Sequence, residues 1–137
     1  MGLEVAKSVA AGIAVGLALL QGLAMLQVQG KGPALFPFEK QVLRRWHRRG
    51  GVAALGLMTA VAAACVLGEG IYAYPFRVWV HAVAGTLAIL VLLVKVVFTH
   101  RTRRLVRYNG LLGRAAGLLI LIAFLASVAG YYLSSRF

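Results

Sequence analysis

The stretch VWVHAVAGTLAILVLLVKVVF, residues 78–98, decides the fold because it is long and apolar enough to cross a bilayer as one helix. At about 1.5 Å per residue, roughly 20 helical residues span the ~30 Å hydrocarbon core. Similar stretches occur three more times, and we predict helices over residues 5–28, 39–68, 77–99 and 111–133. The sequence therefore predicts an all-α polytopic membrane protein, in which residues 1–137 form a single domain, a four-helix up-and-down transmembrane bundle.

Basic residues are distributed unevenly around these segments. Of the 15 lysines and arginines, 11 lie in or beside the connections from the first helix to the second and from the third to the fourth, between Lys31 and Arg49 and between Arg101 and Arg114. Lys7, Arg77 and Arg136 lie on the opposite side, and Lys95 lies inside a helix. By the positive-inside rule, both termini are on the outer side and both basic loops are cytoplasmic. We expect a prokaryotic inner (cytoplasmic) membrane, with the lipid bilayer as partner. Nucleic acid is not an expected partner, because the net charge of +12 comes from groups that flank membrane spans.

Small residues recur at four-residue spacing, as in Gly12 and Gly16 of the first helix and Gly113 and Gly117 of the fourth. In lipid, this spacing lets helix backbones approach closely. It predicts either packing within the bundle or a docking face for another membrane subunit. The single Cys65 cannot form an internal disulfide, and we interpret it as a packing residue.

Ionisable residues in or beside the apolar segments are the candidates for a functional site, because they cost free energy at membrane depth. They are His47, His81, Lys95 and His100. His81 and His100 lie roughly 28 Å apart along one helix, so they cannot ligate one metal centre. His47 begins the second helix and His100 ends the third at the same border. In an up-and-down bundle these two can face each other.

Two neutral imidazoles from facing transmembrane helices are the axial ligands that a low-spin haem b requires. Arginines near the histidines would hold the propionates through paired hydrogen bonds, and glycines one turn after the histidines would leave room for a porphyrin. The candidates are Arg44, Arg48, Arg101, Gly51 after His47, and Gly85 after His81.

Each ionisable residue also has a structural interpretation, and the sequence leaves both open. His47 and His100 fit interfacial residues at helix ends, and His81 fits a buried histidine with a hydrogen-bond partner. Lys95 lies on nearly the same helix face as His81. Its amine either extends to the cytoplasmic border or binds an anionic headgroup, a propionate or a quinone oxygen. No acidic residue lies in any span, which argues against a carboxylate-based transporter.

Two short motifs carry a resemblance to known families. The run HRRGG, residues 47–51, resembles the H-R-x-x-G element at the start of a helix in ferric-reductase-like membrane cytochromes and in the membrane anchors of succinate dehydrogenase. HAVAG, residues 81–85, resembles the H-x-x-x-G element of haem-bearing helices in the same groups. The resemblance implies that His47 lies near the cofactor or quinone, that Arg48 contacts a propionate or quinone, and that His81 is an axial haem ligand.

This resemblance covers the second and third helices, and the chain departs from both families. No second histidine follows His47 on its helix, as the ferric-reductase-like pattern requires. Succinate dehydrogenase anchors have three spans per chain and draw one histidine from each of two chains. The resemblance thus favours His81 with a ligand from another subunit, whereas geometry within this chain favours His47 with His100.

We expect a membrane cytochrome b-like protein or haem-carrying anchor subunit that transfers electrons between a quinone and a partner in a larger membrane complex. Haem b is the expected cofactor, with His47, His81 and His100 as candidate metal ligands and a quinone as a second ligand. No G-x-G-x-x-G motif follows a strand, so independent enzymatic activity is not expected. The alternative is a cofactor-free accessory subunit of a respiratory or photosynthetic assembly. A third hypothesis is a quinone or lipid site formed by His81, Lys95 and the tyrosines, without haem.

Overall fold

The computed structural model describes residues 2–69, 75–101 and 107–134, and within these ranges the regular structure is helical. Four α-helices follow one another: α1 Gly2–Val28, α2 Lys40–Glu69, α3 Phe76–Arg101 and α4 Asn109–Ser134. Each contains a segment long and apolar enough to cross a membrane. The prediction of an all-α chain with four membrane-length helices is confirmed, and every helix end lies within three residues of its predicted position.

The chain forms two compact units, Met1–Met58 and Thr59–Phe137, and the boundary between them falls inside α2. The first unit contains α1 and the beginning of α2. The second contains the end of α2 together with α3 and α4.

The end of α1 is fixed by a Schellman motif and a side-chain clamp. Lys31 donates its backbone N–H to the Leu26 carbonyl, and Gly30 donates to the Gln27 carbonyl, both at 3.0 Å. Gly30 has a φ of 70°, which glycine adopts without a steric penalty. The Gln27 amide then donates to the Phe36 carbonyl at 2.7 Å and accepts from the Phe36 N–H at 2.9 Å. These bonds satisfy backbone groups at the helix end and close the loop toward α2.

In the first unit, the core lies where the end of α1 meets the beginning of α2. Leu43 is fully buried and packs against Ala24 and Val28. The Leu43 N–H donates to the Glu39 carbonyl at 3.1 Å, which makes the first helical bond of α2. The same apolar contact therefore forms the core of this unit and fixes the rotation of α2 against α1.

In the second unit, α3 and α4 pack along a stripe of alanines. Ala84 and Ala88 of α3, and Ala116 and Ala123 of α4, are all buried. Their spacing of four or seven residues keeps them on one face of each helix, and their small side chains let the two backbones approach closely.

The glycine pairs at four-residue spacing are placed differently from these alanines. A Cβ added at Gly12, Gly16 or Gly117 would meet no other described residue within 4 Å. Gly113 differs from them, because a Cβ there would lie 3.3 Å from the Lys95 Nζ atom of α3. Gly12, Gly16 and Gly117 therefore face open surroundings, whereas Gly113 takes part in the packing of α4 against α3.

Most apolar side chains are on the outside of the helices. In the apolar stretch of each candidate span, at most 11% of the residues are buried inside the protein. Leu20, Leu90 and Leu118 are each at least half exposed. Such a continuous apolar surface is unfavourable in water and is typical of helices surrounded by lipid.

Candidate functional site

His81 lies in the second turn of α3 and contacts α4 through its ring. Its Nδ1 atom is 2.8 Å from the carbonyl oxygen of Ala123. A carbonyl can only accept a hydrogen bond, so Nδ1 must carry the proton. In the neutral ring, Nε2 then holds a lone pair that can accept a hydrogen bond or ligate a metal. Within the described residues, His81 has no other hydrogen bond.

A small pocket of about 110 Å³ lies beside the His81 ring. It is lined by Arg77, Val78 and His81 of α3 and by Ala126 and Ser127 of α4. Arg77 is one helical turn before His81, so the two side chains share a face of α3. The Ser127 hydroxyl donates to the Phe124 carbonyl at 2.9 Å, which uses its proton within α4. The walls of this pocket are almost entirely apolar, so these residues line it mainly with their carbon atoms.

An apolar hollow of about 330 Å³ lies along the same part of α3. It is lined by Phe76, Trp79, Val80, Val83, Ala84, Leu87 and Leu119. At Gly85, one turn after His81, an added Cβ would meet no described residue within 4 Å. Gly85 lies about 40° from His81 around the helix, whereas Val83 and Leu87 in the hollow lie about 120–160° from it, so the open space and the hollow are on different faces of α3.

His47 makes the equivalent contact in the first unit. Its Nδ1 atom lies 3.2 Å from the carbonyl oxygen of Gln21 in α1, which again requires Nδ1 to donate. The Gln21 side chain packs against Gly50, where it occupies the position of a Cβ. The Gln21 Oε1 atom is buried and has no hydrogen-bond partner in the part of the chain that the structure describes. His47 takes part in a further interaction besides this bond.

Lys95 lies in the contact between α3 and α4. Its Nζ atom is 3.3 Å from the position of a Cβ on Gly113, and the residue takes part in a further interaction. The absence of a side chain at Gly113 makes room for the amine. The structure thus places Lys95 against α4, on the face of α3 that also carries His81 and the buried alanines.

The remaining predicted site residues are on the surface or outside the described side chains. Arg44, Arg48 and Arg101 are exposed, and a Cβ added at Gly51 would meet nothing within 4 Å. His100 lies in the last turn of α3, and its side chain is outside the described residues. It belongs to the second unit and His47 to the first, so the pairing of these histidines as two ligands stays a prediction.

Three residues that contact the candidate histidines or line the pocket beside His81 were not identified from the sequence: Gln21, Arg77 and Ser127. Gln21 lies seven residues after the buried Ala14 and seven before the buried Val28, and Ala24 is one turn away. This spacing places the Gln21 amide on the packed face of α1. Arg77 could have been found from its four-residue spacing to His81. Ser127 had no such signal, because its position depends on how α4 pairs with α3.

Among the residues in the described ranges, no group of three or more His, Cys, Asp or Glu side chains is arranged to hold a metal ion. Such a group would hold a metal ion through several protein side chains. A haem iron needs only one or two axial ligands from the protein, so a haem site does not require such a group.

The chain belongs to a family of unknown function, DUF6529, whose model matches residues 2–136. No curated protein and no solved structure matches the chain.

Proposed function

We propose that this member of the DUF6529 family is an integral membrane protein that carries a b-type haem, with His81 as an axial ligand, and serves as an electron-transfer or anchor subunit of a larger membrane complex. Its four apolar helices form an up-and-down bundle with both termini outside. The basic loops then lie on the cytoplasmic side of a prokaryotic inner membrane. A quinone is the proposed exchange partner for electrons.

The observation that carries this proposal is the 2.8 Å bond between His81 Nδ1 and the Ala123 carbonyl. Histidines that ligate metals usually donate their other ring N–H to a carbonyl or carboxylate, which fixes the tautomer and the ring orientation. In the neutral His81 ring this bond directs the proton to Nδ1 and leaves the Nε2 lone pair for axial ligation. Because α4 supplies the acceptor through its backbone, the ring is held by the scaffold rather than by a mobile side chain.

The surroundings of His81 fit a haem at the surface of the α3–α4 pair. Gly85 leaves open space one turn from the ligand, within about 40° of it around α3. Arg77, one turn before His81, already takes part in an interaction within the protein, and a bond from its guanidinium group to a propionate would add to that interaction or replace it. When bound, a haem would supply one-electron transfer; the protein side chains would orient it and exclude water.

A second axial ligand would come from outside this helix pair. Residues 109–134 contain no histidine, methionine or cysteine, and His100 is nineteen residues after His81. The 110 Å³ pocket at the ring is also too small to enclose a porphyrin, since sites for organic ligands usually have about 300 Å³ or more. Both facts favour a shared site, completed by another part of the chain or by a partner subunit.

The deciding experiment is a reduced-minus-oxidised absorption spectrum of the full chain, expressed with a haem precursor and purified in mild detergent. The proposal expects a b-type band and a fixed ratio of haem to protein. The band should be lost in His81→Ala. A spectrum without the band, from protein with a helical circular dichroism signal, would reject haem binding.

A second candidate is a cofactor-free accessory subunit of a respiratory or photosynthetic assembly. The same two contacts favour it, because His47 and His81 each bond to a backbone carbonyl of a neighbouring helix and thereby stabilise their helix pair. The open glycine faces of α1 and α4 would then dock against other membrane subunits. Helical protein that lacks haem and co-purifies with a larger complex would support this function.

A further inference from the structure

The first three turns of α2 carry four arginines in two rows. Arg44 and Arg48 form one row and Arg45 and Arg49 the other, each with a spacing of four residues. At about 100° per residue, these rows lie between about 100° and 240° around the helix from Leu43. Gly50 and Ala54 lie within about 20° of Leu43, so α2 contacts α1 on one side and presents the arginines on the other.

These arginines, here called the arginine face, are all exposed. In the part of the chain that the structure describes, none has a hydrogen bond or an ion pair with another residue. Like charges four residues apart destabilise a helix by a few tenths of a kcal/mol per pair. An anion placed between the rows removes that repulsion and gains charge-assisted hydrogen bonds.

The depth of the arginine face indicates which anion it meets. Trp46 lies between Arg45 and Arg48 in the sequence. Its ring packs on the Phe38 ring, with the two ring centroids 5.2 Å apart. Exposed aromatic rings at the end of an apolar helix sit at the level of the lipid headgroups. The apolar run of α2 begins directly afterwards, at Gly51.

We infer that the arginine face is a binding site for the phosphate group of an anionic membrane phospholipid. The guanidinium forks match phosphate oxygens in pairs, and the rows are within reach of a headgroup while α2 continues into the hydrocarbon. Trp46 and Phe38 hold this part of α2 at the correct depth. The site does not involve His81, so it stands whether or not the protein carries haem.

The two tryptophans of the chain allow a direct test. In a Trp79→Phe variant, Trp46 beside the arginine face is the only tryptophan, and it is excited at wavelengths where the tyrosines do not absorb. The protein is placed in vesicles that contain phosphatidylglycerol or phosphatidylcholine with brominated acyl chains, and quenching by the two lipids is compared. An anionic lipid is attracted by about 1 kcal/mol per basic group, which is about fivefold, so phosphatidylglycerol should quench Trp46 at a several-fold lower mole fraction.

Two variants in the Trp79→Phe background test the assignment, R44Q/R48Q and R45Q/R49Q. Each should reduce the preference toward equal quenching, and if one pair prevents folding the other still provides the test. The matched control is R101Q/R107Q, which removes the same charge from the second unit and should keep the preference. In 1 M salt, where the screening length is about 3 Å, the preference should also shrink.

Equal quenching of the unsubstituted arginine face by both lipids would overturn the inference and leave an acidic protein surface as the alternative. A control variant that loses the preference as fully as the arginine-face variants would also overturn it, because net charge would then explain the effect. Circular dichroism of every variant confirms that the helices are intact.

Discussion

The Nδ1 atom of His81 is bonded to the carbonyl oxygen of Ala123, and this bond joins α3 to α4 through a ring whose tautomer it fixes. The first unit repeats the arrangement, with His47 bonded to the Gln21 carbonyl. Each histidine thus links a helix pair through Nδ1. A histidine can link two helices through one ring nitrogen and ligate a haem iron through the other. Substitutions can separate these two roles.

His81→Gln and His81→Ala differ in which role they remove. A glutamine amide can still donate to the Ala123 carbonyl but is a poor haem ligand. We therefore expect His81→Gln to lose the haem band at nearly unchanged stability. His81→Ala should lose the band and about 1 kcal/mol of stability, which is typical of one hydrogen bond between membrane helices. Haem absorbance and unfolding in detergent measure the two effects. Full haem retention in both variants would show that His81 is not a ligand.

Gly50 and Gly51 form a matched pair for the contact between α1 and α2. A side chain at Gly50 would displace the Gln21 amide, so Gly50→Val should destabilise the first unit by about 1–3 kcal/mol. Gly51→Ala meets open space and should change stability by less than about 0.5 kcal/mol. Unfolding of both variants in the same detergent gives the comparison. Equal losses would contradict the placement of Gln21.

The turn after α1 depends on the positive φ of Gly30. Gly30→Ala should destabilise the protein by about 1–2 kcal/mol, because an L-residue is strained in the left-handed region. Gly30→Asn should cost less, since asparagine tolerates this conformation. Gly22→Ala, at a helical position with open surroundings, serves as the control and should be neutral or slightly stabilising. A neutral Gly30→Ala would show that the Schellman motif is not required.

The proposed orientation is tested by labelling single cysteines in intact cells. In a Cys65→Ser background, Gly2→Cys should react with a membrane-impermeant maleimide from outside. Lys31→Cys, in the loop between α1 and α2, should react only after the cells are opened. Both positions are exposed, so the difference reports sidedness rather than burial. The reverse pattern would place the basic loops outside.

The helices could be predicted from the sequence because long apolar runs are a local property. The contacts of the candidate site could not, because they depend on how two helices are rotated against each other. Sequence reasoning named His81 and Gly85, but the acceptor is a backbone carbonyl of Ala123, which no side-chain pattern reveals. Gln21 was overlooked because it stands alone in an apolar helix. Its spacing to Ala24 and Val28 was the available signal.

The contacts that close the first helix pair all fall within a short interval of the chain. Ala24, Val28 and Leu43 form its core, and Gln27 clamps the loop at Phe36. None of them requires α3 or α4. The pair can therefore form during synthesis as soon as α2 has been made, before α3 and α4 exist. The backbone groups at the end of α1 are then already paired.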